Sequence, residues 1–171
     1  MKKIIVTGCN GQLGRAVNLF FKDNKDISFV NTDVGELDIT NIDKVMELAR
    51  EVQPYAIINC AAHTGVDACE TEYDKAFKIN AIGPRNLSIA ARETGAKLMH
   101  ISTDYVFDGQ GTTPWEPDCK DYKPLNVYGQ SKLDGELAVS SILEKYFIVR
   151  IAWVFGLNGK NFIKTMINVG K

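Results

Sequence analysis

The stretch "KKIIVTGCNGQLG", Lys2–Gly14, decides how this chain is read. Its first half is apolar and β-branched, as in a strand buried on both faces. Its second half spaces Gly8, Gly11 and Gly14 as G-x-x-G-x-x-G, with Asn10, Gln12 and Leu13 between and beside them. The next residues, "QLGRAVNLFFKD", read as a helix. In that setting Gly8 makes a tight turn, Gly11 lets a ligand approach the backbone, and Gly14 lets the helix pack against the strand. The helix start then offers unpaired N–H groups to an anion. A glycine-rich turn without a ligand is the plainer alternative, and three glycines alone are a weak signal. Their position between a first strand and a first helix points to the pyrophosphate of a dinucleotide.

The rest of the chain repeats the same alternation. "ISFVNTD" reads as strand two, and "NIDKVMELAREV" as a helix capped by Thr40 or Asn41 and stopped before Pro54. "YAIINCAA" is strand three, followed by a long helical region over about 67–94 with Gly83-Pro84 as its break or kink. "AKLMHISTD" is strand four. A Pro-rich loop leads to a helix over "NVYGQSKLDGELAVSSILEKY", and "FIVRIAWVFG" is strand five. Near-continuously apolar strands separated by helices imply a parallel sheet covered on both faces. The expected fold is therefore α/β, a doubly wound parallel sheet of the Rossmann type, with ligands at the carboxyl ends of the strands.

Composition excludes several classes. With 171 residues the chain can bury one real core. A net charge of −1 gives no electrostatic case for nucleic acid or an anionic membrane as partner. Apolar runs fall far short of the roughly 20 residues of a membrane span. "MKKIIVTG" is interrupted too early by Gly8, Asn10, Gly11 and Gln12 to be a signal peptide. The four cysteines show no C-x-x-C spacing and there are two histidines, so no zinc site is expected. Free thiols in a reducing cytoplasm are the expectation.

Asp33 ends strand two, about 20 residues beyond the glycine loop, where an acidic residue would hold the adenosine ribose. Its carboxylate would accept from a 2'-hydroxyl and repel a 2'-phosphate, and no Arg directly follows. The cofactor is expected to be NADPH or NADH, with Asp33 leaning toward NADH. Asp38, with Ile39 beside it, either borders the adenine or caps a turn. Further on, Tyr128 and Lys132 stand one helical turn apart. A nearby ammonium and a positive nicotinamide ring would lower the tyrosine from its usual pKa of about 10 and make it an acid/base near neutrality. Tyr-x-x-x-Lys is common by chance. Here it follows a glycine loop and a strand ending in Ser102-Thr103-Asp104, whose hydroxyls could orient a substrate oxygen.

The segments "GCNGQLG", "NCAAHTGVDACE", "HISTDYVFDG", "PLNVYGQSKLDGE" and "VRIAWVFG" resemble the extended short-chain dehydrogenase/reductase family, and within it the dTDP-4-dehydrorhamnose reductase family. The resemblance spans nearly the whole chain. It implies NAD(P)H-dependent reduction of the 4-keto group of a dTDP-linked 6-deoxyhexose, giving dTDP-L-rhamnose, in the cytoplasm. Residue by residue, it implies that Tyr128 is the acid, Lys132 its partner and a nicotinamide-ribose ligand, and Thr103 the hydroxyl on the substrate oxygen. Gly8, Asn10, Gly11, Gln12 and Leu13 match the pyrophosphate loop. Asp33, Asp38 and Ile39 match the adenosine side. Ala61, Ala62, His63 and Thr64 match the cofactor-contacting end of strand three. Asp104 and Trp153 match substrate contacts, although Trp153 could equally be packing, and His63 reads as a backbone and packing contact. Asn80 either positions a helix kink or water or is structural.

Asp104 is followed by Tyr105 rather than by the glutamate of related dehydratases, which argues for simple reduction. Where some related reductases carry a magnesium-binding glutamate, this chain has Ala16, so no metal is expected. The domain reading is 1–155 for the NAD(P)-binding part and 156–171 for the start of a substrate-lobe helix. The rest of that lobe is expected to be largely absent by C-terminal truncation. A homodimer is compatible with this reading. The alternative is a non-catalytic regulatory subunit on the same scaffold, resembling the methionine adenosyltransferase beta subunit.

Overall fold

A computed structural model describes residues 1–159 and 161–170. Five parallel strands form one sheet in the order β2-β1-β3-β4-β5, with β1 Lys2–Thr7, β2 Ile27–Thr32, β3 Ala56–Asn59, β4 Lys97–Thr103 and β5 Tyr146–Ile151. The chain steps one way from β1 to β2, then crosses back over β1 and continues the other way. Right-handed crossovers therefore put α1 (Gln12–Phe20) on one face and α2 (Ile42–Val52), α5 (Gly83–Thr94) and α6 (Val127–Ile142) on the other. The reversal opens a crevice between β1 and β3 at their carboxyl ends.

The main core lies on the α2/α5/α6 face. Ile5, Ile57 and Leu98 from three adjacent strands pack with Val45, Met46 and Ala49 of α2, Leu87, Ala90 and Ala91 of α5, and Val139 of α6. These helical residues recur at spacings of three and four, which is why each helix offers one apolar stripe to the sheet. Asn41, not Thr40, caps α2: its side chain accepts from Lys44 N at 3.2 Å. The opposite face is covered unevenly. Ile4 and Val6 in β1 are buried, whereas Phe147 in β5 is 61% exposed. The doubly wound arrangement expected from sequence is the one observed, with α1 on this second face.

The helical region after β3 is divided into α3 (Val66–Thr71), α4 (Tyr73–Phe77), a π-helical turn (Lys78–Ile82) and α5. Helical backbone runs on through Ile82 and Gly83, and Gly83-Pro84 marks the change from the π-helical turn to α5, the break or kink expected there, since Pro84 has no N–H to give the preceding turn. Gly83 lies tight against the Ile39 side chain.

A satellite cluster fixes the loop between β4 and α6. Val106, Phe107 and Leu133 are buried, with Cys119 and Tyr122 against them. Phe107 stacks on Trp115 with centroids 4.5 Å apart. Arg150 on β5 underlies this cluster. Its Nε donates to Glu136 Oε1 at 2.9 Å, and its Nη2 donates to Glu136 Oε2 at 2.7 Å and Tyr122 Oη at 3.1 Å. Glu136 is almost wholly buried, so removing its cation strands a charge. Arg150→Met is expected to lower the unfolding free energy by about 3 kcal/mol in urea titration, and Arg150→Met with Glu136→Leu to recover most of it. A single-variant loss below about 1 kcal/mol would contradict this account of the loop's anchor.

Candidate active site

The glycine loop is built against β3. Gly8 has φ +64°, and a Cβ there would stand 2.7 Å from Ala61 N and 2.9 Å from Cys60 C. A Cβ on Gly14 would meet Cys9 Cα at 2.6 Å and the Gly8 carbonyl. Both positions leave no room for a side chain, as the spacing predicted. Gly11 caps α1 with extended backbone and no side-chain cap, and no acidic residue occupies the first turn. The first N–H groups of α1 and its positive dipole end therefore face the crevice uncompensated by the protein.

Two connected clefts line the carboxyl edge. The larger, about 810 Å³, includes Gly8, Asn10, Gly11, Asp33, Asp38, Ile39, Ala61 and Ala62. The second, about 440 Å³, includes Gln12, Leu13, Thr64, Ser102, Thr103, Asp104, Tyr128, Lys132 and Trp153. Gly11, Cys60 and Ala62 belong to both, so the glycine loop stands at their junction. All the residues expected from sequence at the cofactor and substrate sites line one or other cleft except His63, whose ring turns aside to Glu72, with Nε2 and Oε2 2.7 Å apart. Asp33 receives Asn10 N at 3.0 Å and Val34 N at 2.8 Å, which ties the end of β2 to the glycine loop. Trp153 is 76% exposed with φ +53°, a strained backbone for an aromatic residue, and its ring meets Phe162 edge-on. The Gln12 amide donates to Val154 O at 3.1 Å and so joins the loop to this segment.

Asn126 caps α6 by accepting from Gly129 N at 2.7 Å. That sets Tyr128 and Lys132 in its first two turns. Gly129 is required by space, because the Tyr105 carbonyl occupies the position of its Cβ. β4 delivers Thr103, whose hydroxyl donates to Asp104 Oδ1 at 3.0 Å and accepts from Tyr105 N at 3.2 Å. Lys132 is 2% exposed and its Nζ donates to Ile101 O at 2.7 Å. Burial pulls its pKa down to about 8, opposed by Glu136.

One expectation is corrected here. Tyr128 was expected to be lowered by its lysine neighbour together with a nicotinamide ring, and the lysine alone does not do so. Without the dinucleotide, burial raises it above its usual value, with Thr103 opposing and Asp104 adding to the rise, and Lys132 is not among the leading causes. The ammonium is directed at the Ile101 carbonyl, and desolvation of the phenolate outweighs the rest. At neutral pH Tyr128 therefore carries its proton.

Sequence reading missed several contributors. Cys60, Tyr105, Ser131 and Val154 gave no motif signal of their own. Lys75 of α4 and Lys78 at the start of the π-helical turn also line the larger cleft. Asn80, left open between two roles, is wholly buried. Its Oδ1 accepts from His63 N at 2.8 Å, and its Nδ2 donates to His63 O and Ser131 Oγ, both at 3.0 Å. Ser131 Oγ donates in turn to Tyr128 O at 2.8 Å. Among the described residues, no group of three or more acidic, His or Cys side chains is arranged to hold a metal ion. No described helix is long and apolar enough to cross a membrane.

A glycine loop at a strand reversal, a hydroxyl at the end of β4 and a Tyr/Lys pair on the next helix define the short-chain dehydrogenase/reductase class of site. Comparison with known proteins narrows this. A profile of the RmlD substrate binding domain matches residues 1–171, and the chain belongs to that family. It is 39% identical to the dTDP-4-dehydrorhamnose reductase of Aggregatibacter actinomycetemcomitans, over all of this chain and 58% of that protein. The crystal structure of a dTDP-4-dehydrorhamnose reductase from Clostridium acetobutylicum superposes with a TM-score of 0.94 at 50% identity, covering 98% of this chain and 59% of that one. That of the Bacillus anthracis dTDP-4-dehydrorhamnose reductase in complex with NADP superposes at 0.95 with 44% identity, covering 99% and 60%. The chain thus spans between half and two thirds of the length of these relatives.

Lys132 supplies a test of the site's electrostatics. Its folded pKa of about 8 lies below the unfolded value of about 10.4, so between these the unfolded chain binds more protons and stability rises with pH. Measured against Lys132→Met in urea at a series of pH values, the wild type is expected to gain relative stability from about pH 8 to about pH 10. A flat difference across that window would show that Lys132 is not a desolvated ammonium.

Proposed function

We propose that this chain carries the cofactor-binding and proton-donating part of an NAD(P)H-dependent sugar-nucleotide reductase, acting on the 4-keto group of dTDP-4-dehydro-L-rhamnose to give dTDP-L-rhamnose. The observation that carries the reading is the convergence of Thr103, Tyr128 and Lys132 on the cleft that the glycine loop also borders. The residues fit a dinucleotide. Gly8 and Gly14 leave room for nothing but backbone, the start of α1 is uncapped, and the Ser102 hydroxyl is buried beside the cleft without a described partner. Gly11, Gln12 and Leu13 would bind the pyrophosphate through backbone N–H groups. Asp33 would accept from the adenosine ribose and favour NADH, while Asp38 and Ile39 border the adenine. Ala61, Ala62 and Thr64 would line the middle of the cofactor, and Lys132 would hold the nicotinamide ribose.

When bound, the reduced nicotinamide supplies the hydride for the carbonyl carbon. The chain's own work is proton delivery and orientation. Thr103 holds the ketone oxygen with Asp104 behind it, and Trp153 presents an aromatic wall to the sugar. Tyr128, kept protonated by burial, gives its phenolic proton to that oxygen, so the ketone becomes an alcohol and the tyrosine is left as phenolate. The Lys132 ammonium stabilises that phenolate as it forms. The single acid and the Tyr105 that follows Asp104 support reduction without loss of water. With this catalytic set intact, the regulatory-subunit alternative has no observation in its favour.

The test is loss of NADH or NADPH absorbance on addition of a dTDP-linked 4-keto-6-deoxyhexose. Oxidation is expected with the keto sugar and not with dTDP alone. Tyr128→Phe is expected to cut the rate by a factor of about 10² to 10⁴ while leaving NADH or NADPH affinity within about threefold. A Tyr128→Phe variant with undiminished turnover would remove the tyrosine from the acid's role.

A further inference from the structure

Three elements meet at Gly135 in an arrangement that the reaction above does not use. His100, in the middle of β4, is wholly buried. Asn59 Oδ1 accepts from Thr7 Oγ1 at 2.7 Å and from Ala61 N at 3.2 Å, so the amide nitrogen of Asn59 is the end that faces His100. That nitrogen donates to His100 Nδ1 at 3.0 Å, which places the ring proton on Nε2. Burial, reinforced by the Lys132 charge, keeps the ring neutral. The Nε2–H has no partner among the described residues.

An acceptor stands close to it. A Cβ on Gly135 would lie 3.4 Å from His100 Nε2 and would overlap the carbonyl oxygen of Asn80. Donor and acceptor therefore both border the place that a side chain at Gly135 would take.

We propose that His100 is a positioning residue of the active site: its Nε2–H holds the Asn80 carbonyl through one buried water, and so fixes the π-helical turn. The consequence follows from what Asn80 carries. Its side chain grips both backbone polar groups of His63, next to the cleft-lining Ala62 and Thr64, and reaches the Tyr128 carbonyl through Ser131. Loosening the turn would let the end of β3 and the start of α6 drift relative to each other. The effect on cofactor affinity rests on the reductase reading above; the hydrogen bond itself does not.

The experiment has two arms. In ¹⁵N NMR of the wild-type chain labelled at histidine, His100 is expected as the Nε2-protonated tautomer, with its Nε2–H protected from exchange. In NADH or NADPH titrations, His100→Phe is expected to weaken binding about tenfold. His100→Gln, whose amide can stand in for Nε2–H, is expected to stay within about threefold of wild type. An Nδ1-protonated ring, a freely exchanging Nε2–H, or equal losses in the two variants would overturn the proposal. A protected Nε2–H in a chain that binds neither NADH nor NADPH would support the hydrogen bond and sink the reading of the cleft instead.

Discussion

The structure depends on one close approach, that of the β1–α1 turn to the end of β3. Gly8 adopts a left-handed backbone and lies so near Ala61 N that no side chain would fit. Behind it, Thr7 donates to Asn59, and Asn59 donates to His100, so three neighbouring strands are tied at their carboxyl ends by buried side chains. The contact requires β1 and β3 to be adjacent, and that adjacency is the point where the strand order reverses. The crevice, the uncapped start of α1 and the two clefts all follow from it.

Much of this was legible in the sequence because it is periodic or punctuated. The glycine spacing, the five apolar runs and the hydroxyl end of β4 are local signals, and each fell where the pattern placed it. What escaped has a physical reason in each case. Gly83-Pro84 announced a break or kink, but not that it would take the form of a π-helical turn, because a proline marks where a helix must deviate and not how. Thr40 and Asn41 could not be separated as caps, since both side chains can accept from a helix N–H.

The Tyr128–Lys132 pair shows the limit of spacing as a guide to chemistry. Helical geometry puts the two on one face, and that much was readable. Whether one tunes the other depends on where the ammonium points and how deeply each group is buried. In this chain Lys132 donates to Ile101 O, and burial governs both residues, raising the phenol and lowering the ammonium. A protonated tyrosine suits a site that gives a proton to a ketone oxygen, so the corrected electrostatics support the proposed direction of reaction.

The central claim is that the reversal between β1 and β3 makes a dinucleotide site on this chain. It is tested most directly by mapping backbone amide shifts in two-dimensional NMR as NADPH or NADH is added. The account predicts saturable shifts at Gly11, Gln12 and Leu13, at Asp33 and Ile39, and at Ala62, with the sheet's opposite edge unmoved. Shifts confined to residues outside the two clefts, or none at saturating dinucleotide, would contradict it.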